Sequence, residues 1–181
     1  MLLNDTASAR LAGAASDIIT GPARVEGVLA EPGGGYGEFR GLHDGYQQRY
    51  GMTHTRVLRL SPHGDKLTGA DRIFHGQKLA LARGQGDLTY SIHFHIHPQA
   101  RVRYGAESGV ALITLPDGEV WTFNAFGSKL SLEDSLHFAS FSGPARTMQI
   151  VLRGHVLADT QIAWSLESGT PPPMPHLADH S

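Results

Sequence analysis

The chain has 181 residues, 40% of them hydrophobic, with 15 lysines and arginines against 17 aspartates and glutamates. That length and balance suit one globular domain with a sizeable core, exclude global disorder, and give no electrostatic argument for a nucleic-acid or anionic-membrane partner. With no cysteine, disulfide frameworks, thiolate metal sites and cysteine nucleophiles are excluded together.

In chain order, the opening "MLLNDTASAR" has Asn4 and Asp5 where a signal peptide would place its apolar core. No apolar run anywhere approaches the roughly 18–20 residues of a membrane span. The first 22 residues hold one short apolar piece and then small residues, so the ordered domain is expected to lean on something before residue 1. From about Arg24 the hydrophobic pattern has period two, broken by Gly, Pro or Asp pairs. "RVEGVLAE", "GEFRGLHDGY", "HTRVLRLS", "DKLTGADRIF", "TYSIHFHIHP", "ARVRYG", "GVALITLP", "EVWTFNA", "KLSLEDSLHF", "TMQIVLRG" and "QIAWSLE" all read as strands. "LSPHGDKL" and "LPDGEVW" carry hairpin turns, because glycine tolerates the positive φ that tight turns need. No amphipathic helix longer than two turns is expected. The pattern predicts an all-β fold, an antiparallel β-sandwich of about ten or eleven strands, with a closed barrel as the alternative. The domain is expected to span 1–167, followed by a disordered, proline-rich tail over 168–181.

Eleven histidines is a high count for this length. In "YSIHFHIHP" the strand alternation sends Ile92, Phe94 and Ile96 to the core and His93, His95 and His97 to the other face. Side chains two residues apart on a strand stand about 6.5–7 Å apart, so neighbours can share one ion, whereas the outer pair is about 13 Å apart at the backbone. A metal site would therefore use two of these, His93 and His95 in a cupin-like reading, with help from His137, Asp134, Glu133 or His155. Substrate contact and a plain solvent face are the other readings. After the break at Pro98, Arg101 and Arg103 share one strand face, and guanidinium matches a carboxylate bidentately.

In "LHDGY", His43 and Tyr46 form a candidate proton-transfer pair, against a plain turn at Asp44-Gly45 with Tyr46 covering a sheet edge. Glu133 and Asp134 point apart on a strand, so "SLEDSLHF" alone forms no glycosidase carboxylate pair. Trp121 and Trp164 are expected in the core. "EPGGGYG" lacks the following helix and lysine of a phosphate loop.

Taken in order, "HDGYQQRYGMTHTRVLRLSPHGDKLTGADRIF", "IHFHIHPQARV", "LPDGEVWTF", "LSLEDSLHF", "RTMQIVL" and "IAWSL" resemble the C-terminal β-domain of the heparinase II/III family of polysaccharide lyases, over roughly residues 1–167. The resemblance implies a β-sandwich behind an α/α toroid, and β-elimination on uronate-containing glycans. It further implies a tyrosine and a histidine from the toroid, a histidine from the early β-domain, and a divalent metal such as zinc held by His and Asp residues of the early sheet. "LLNDTASARL" resembles the strand that follows the family's His-Ser-Thr motif, and that motif is absent. His95 and His97 fall on the family's F-H-x-H-P pattern, whereas His93 stands where arginine is expected.

The expected function is thus that of a lyase β-domain without independent elimination activity and without a cofactor of its own. It would support a toroid or contact an acidic polysaccharide through His95, His97, Arg101 and Arg103. The resemblance implies the cell envelope or periplasm as its place. The alternatives are a free-standing carbohydrate-binding module and a cupin-like metal enzyme using His93 and His95.

Overall fold

The structure is a computed structural model that describes residues 1–13, 18–30, 35–75, 87–105, 108–138, 143–157 and 159–169. It is an antiparallel β-sandwich, as the period-two pattern predicts. Four two-residue strands come first: β1 (Leu2–Leu3), β2 (Thr6–Ala7), β3 (Arg10–Leu11) and β4 (Ile19–Thr20). Next come β5 (Val25–Ala30), β6 (Gly37–Tyr46), the single turn α1 (Gln47–Tyr50), β7 (Met52–Leu60), β8 (Lys66–His75) and β9 (Thr89–His95). The chain continues through β10 (Arg101–Gly105), β11 (Val110–Thr114), β12 (Val120–Phe126), β13 (Lys129–His137), β14 (Ala145–His155) and β15 (Asp159–Ser168). The eleven strands read from the sequence correspond to β5–β15. Most of the expected tail, from residue 170 on, and the "PGG" of the glycine-rich connection lie outside the described residues.

One sheet of the sandwich has five strands in the order β13-β14-β9-β1-β2, and the other has eight in the order β10-β11-β12-β15-β8-β7-β6-β5; β3 and β4 pair apart from both as a two-stranded sheet. The expected turns are present: Gly64 and Gly118 adopt φ of 73° and 92° between β7 and β8 and between β11 and β12. The opening apolar piece is a strand of the smaller sheet. Leu2 and Leu3 pair with Ser91 and Tyr90 of β9, and Leu3 is fully buried. Alternation alone misses β1, because two residues carry no period.

Between the sheets, Ile92 of β9 and Ile150 and Leu152 of β14 face Ile73 of β8, Phe123 of β12 and Ile162 and Trp164 of β15. Three aromatic rings lock the layers. Phe94 of β9 meets Trp164 edge-on at 4.8 Å between centroids and Phe123 at 4.9 Å, an arrangement the ring quadrupoles favour. The Trp164 indole lies flat over Gly69, its register partner on β8. A Cβ at Gly69 would stand 2.1 Å from two indole carbons, so only glycine admits the ring here. Gly69→Ala is expected to lower unfolding free energy by about 1–3 kcal/mol through overpacking, measured as a drop in the urea midpoint with Trp164 fluorescence as probe.

Candidate functional site

Asp71 on β8 is completely buried in the inner layer. Its Oδ1 accepts from His54 Nε2 at 2.7 Å and Arg56 Nε at 2.8 Å, and its Oδ2 accepts from Arg56 Nη2 at 3.1 Å and Trp164 Nε1 at 3.0 Å. The positions follow from register, since Arg56 of β7 pairs directly with Asp71, and His54 lies two residues along on the same face. Burial by itself pushes the Asp71 carboxyl up. The bonds and charges of His54 and Arg56 outweigh it, and the group lies below its usual range.

The network continues outward through a second imidazole. His43 of β6 is the register partner of His54, and His54 Nδ1 lies 3.0 Å from His43 Nε2. The Gly45 N–H donates to His43 Nδ1 at 3.3 Å, so that nitrogen is the acceptor and the His43 proton sits on Nε2. His43 Nε2–H then donates to His54 Nδ1, and His54 Nε2–H donates to Asp71. One hydrogen-bond direction thus satisfies both neutral rings. Burial, with His54 next, pushes the His43 imidazole down to about 4.

Tyr46, for which the sequence offered either proton transfer with His43 or cover for a sheet edge, is buried and tied to the N-terminal segment. The rings lie 5.4 Å apart, but the Tyr46 hydroxyl donates to the Met1 carbonyl at 2.5 Å. Burial pushes its phenol up to about 12. The "HDGY" stretch is continuous strand with a register shift between His43 and Tyr46 rather than a turn. Gly45 is required there, because a Cβ would stand 2.7 Å from the Ser8 carbonyl oxygen. The sequence singled out His43 and Tyr46 but not His54, Arg56 or Asp71. For His54 and Arg56 the available signal was their alternation with Thr55 and Val57 along β7, whereas Asp71 on β8 carried none.

The histidine ladder divides. His93 and His95 stand on the outer face of the five-stranded sheet, their rings stacked at 6.4 Å. His93 bridges Gln149 and Ser91 at 3.2 and 3.0 Å, and His95 Nδ1 lies 2.8 Å from the Ser135 hydroxyl. His97 lies beyond the end of β9, in the turn closed by the Ala100 N–H to its carbonyl, and its ring meets His137 edge-on at 5.0 Å. Glu133 is held by the Arg153 guanidinium, which pushes its carboxyl down to about 2. Arg101 and Arg103 are exposed on the outer face of the eight-stranded sheet, since the alternate residues Val102 and Tyr104 pack inward. The structure therefore puts the arginine pair and His95 on opposite outer faces of the sandwich, with β10 approaching β13 at the edge between them.

The divalent ion that the resemblance implies finds no fitting ligand set among the described residues. Among the described residues no three His, Asp or Glu side chains are grouped to hold a metal. His43 already spends its acceptor nitrogen on the Gly45 amide, and His54 spends its own on His43.

Asp71→Asn is expected to cost about 3–5 kcal/mol, because it strands the Arg56 guanidinium against a neutral, mismatched partner; the readout is the change in unfolding free energy at pH 7. His43 gives a pH signature. An unfolded histidine titrates near 6.5 and the folded one about 4, so between these values the unfolded chain binds the extra proton. Stability is therefore expected to fall as pH drops through that window. In urea titrations at pH 7.0, 5.5 and 4.5, His43→Gln is expected to flatten that slope.

The heparinase II/III-like, C-terminal family matches residues 1–165. Among curated proteins, FtsZ-localized protein C of Caulobacter vibrioides is 30% identical over 157 residues, covering 82% of this chain and 26% of that protein. The chain thus spans about a quarter of that relative. Among solved structures, heparan sulfate lyase HepC from Pedobacter heparinus superposes with a TM-score of 0.63 at 11% identity, over 80% of this chain and 22% of that one. A heparinase III, the BT4657 gene product, gives 0.60 at 13% identity, over 80% and 22% respectively. Those identities speak for the fold alone. With the match running over nearly the whole described sandwich, the chain belongs to the heparinase II/III-like C-terminal domain family.

Proposed function

We propose that this sandwich is a supporting, glycan-contacting domain of a heparinase II/III-like protein, without elimination activity of its own. One observation carries the reading. The eight-stranded sheet outruns the five-stranded one, and at its β5–β6 end the inward-side residues Val25, Leu29 and Phe39 are 71%, 80% and 39% exposed. They lie on the same side as His43, because Val25 pairs with His43 and Leu29 with Phe39. The Phe39 ring lies over Gly27 and Gly41, whose Cβ atoms would come within 3.3 and 2.9 Å of it. An apolar strip beside a half-buried imidazole suits a companion domain that closes over it, with His43 at the seam.

Contact with acidic polysaccharide is assigned to Arg101 and Arg103, which make no ion pair among the described residues, and to His95 and His97 around the edge. Membership of the heparinase II/III-like C-terminal family supports an acidic glycan as the partner. The 30% identity to FtsZ-localized protein C favours a second reading, in which the same apolar strip serves localisation to FtsZ.

The test mixes the chain with heparan sulfate and follows both calorimetric binding and the absorbance of unsaturated uronate. Measurable binding, about tenfold weaker in the Arg101→Ala/Arg103→Ala double variant, with flat absorbance, is the expected outcome. Rising absorbance from the chain alone overturns the supporting role. Absent glycan binding together with co-sedimentation on FtsZ filaments transfers the assignment to the second reading.

A further inference from the structure

The outer face of the eight-stranded sheet carries a built cationic groove distinct from Arg101 and Arg103. At its centre is Glu38 of β6, 3% exposed although its neighbours are wet. Its Oε1 accepts from Arg40 Nε and its Oε2 from Arg59 Nε, both at 2.5 Å. Arg59 is the register partner of Glu38, and Arg40 is two residues along the same strand, so all three share one face.

Each guanidinium spends only its Nε on Glu38. Among the described residues neither Nη fork has another hydrogen-bond partner, and the two side chains are 65% and 57% exposed. Two positive charges on one carboxylate leave a net charge of +1. Held in this way, both forks are pre-oriented, so little side-chain entropy is lost when they close on an anion. Arg59, then Arg40, hold the Glu38 carboxyl below its usual range, which keeps the anchor ionised.

The pair lines a cleft of about 550 Å³ together with Tyr36, Ser61 and Lys66. A second cleft of about 340 Å³ shares Arg59, Lys66 and Thr68 with the first and runs on to Phe126, whose ring is 62% exposed. The two form one extended groove, with paired guanidiniums at one end and an open aromatic ring at the other. That is the chemistry of a chain ligand that alternates oxyanion groups with apolar ring faces.

We infer that this groove binds an acidic sugar chain, with the Arg40 and Arg59 forks closing on one sulfate or carboxylate group and Phe126 stacking on a neighbouring sugar ring. The ligand class rests on the glycan reading above. The site does not, since it shares no residue with the Arg101–Arg103 surface.

The experiment follows Arg Nε–H resonances of the full chain by ¹H–¹⁵N spectroscopy with three probes: a sulfated heparan hexasaccharide, its desulfated but carboxylated counterpart, and inorganic sulfate. Saturable shifts at Arg40 and Arg59 with a hexasaccharide are expected; the desulfated arm distinguishes sulfate from carboxylate as the anchoring group. Arg59→Gln should lower hexasaccharide affinity about tenfold, as loss of a charge-assisted contact does. Arg59→Lys, which keeps the charge but loses the fork, should also weaken binding. Phe126→Ala should weaken hexasaccharide binding and leave inorganic sulfate unaffected.

Shifts spread evenly over all arginines, or inorganic sulfate binding as well as either hexasaccharide, overturn the groove. If Arg101→Ala/Arg103→Ala abolishes binding while Arg59→Gln leaves it intact, the groove falls and the earlier surface stands. The reverse pattern keeps the groove and removes that surface. Absence of binding by either hexasaccharide ends both.

Discussion

The carboxylate of Asp71 is the point on which the rest of this sandwich depends. An ionised group sealed from water carries a desolvation cost of several kcal/mol unless its lone pairs are filled. Here His54, the two-pronged Arg56 guanidinium and the Trp164 indole fill them. Those donors come from β7 and β15, the strands on either side of β8, so a single charge ties three adjacent strands into one register. Trp164 also reaches Phe94 across the layer gap. The same bond that satisfies Asp71 therefore orients the ring that joins the two sheets.

From that anchor the chemistry runs outward in one direction. Asp71 fixes the His54 tautomer, His54 accepts from His43, and the Gly45 amide sets the far end of His43. Such a chain delivers a neutral imidazole of defined orientation to the boundary between the covered and uncovered parts of the inner layer. The uncovered part exists because eight strands face five. A fold that balanced its sheets would have buried Phe39, Val25 and Leu29 and closed off His43 with them. The unequal sheets make one end of the molecule an interface and leave the outer faces for solvent or ligand.

The two outer faces are chemically unlike. On the small sheet both nitrogens of His93 are taken by Gln149 and Ser91, Nδ1 of His95 is taken by Ser135, and Arg153 is occupied by Glu133. On the large sheet, Arg40 and Arg59 share one buried carboxylate and keep spare donors. The histidines are concentrated on the first face, whereas the two open guanidinium forks lie on the second. The difference depends on cross-strand partners, and a list of residues along one strand does not contain them.

Local physics was enough to reveal the strands, their inward faces and the tight turns. Period-two alternation and glycine at positive φ are properties of consecutive residues, and they yielded β5 to β15 as well as the all-β class. The ordered motifs along those strands were specific enough to carry the family too. Two-residue β1 was invisible because its strand character comes entirely from pairing with β9. Asp71 looked like an ordinary strand residue between Ala70 and Arg72, since nothing in "TGADRIF" says that β7 will supply an arginine and a histidine and β15 an indole. Which His, Arg and Glu side chains meet is decided by register between strands distant in sequence. Only the tertiary structure sets that register, because it comes from closing both sheets around one core, and the relay at His43 and the paired guanidiniums at Glu38 are its products.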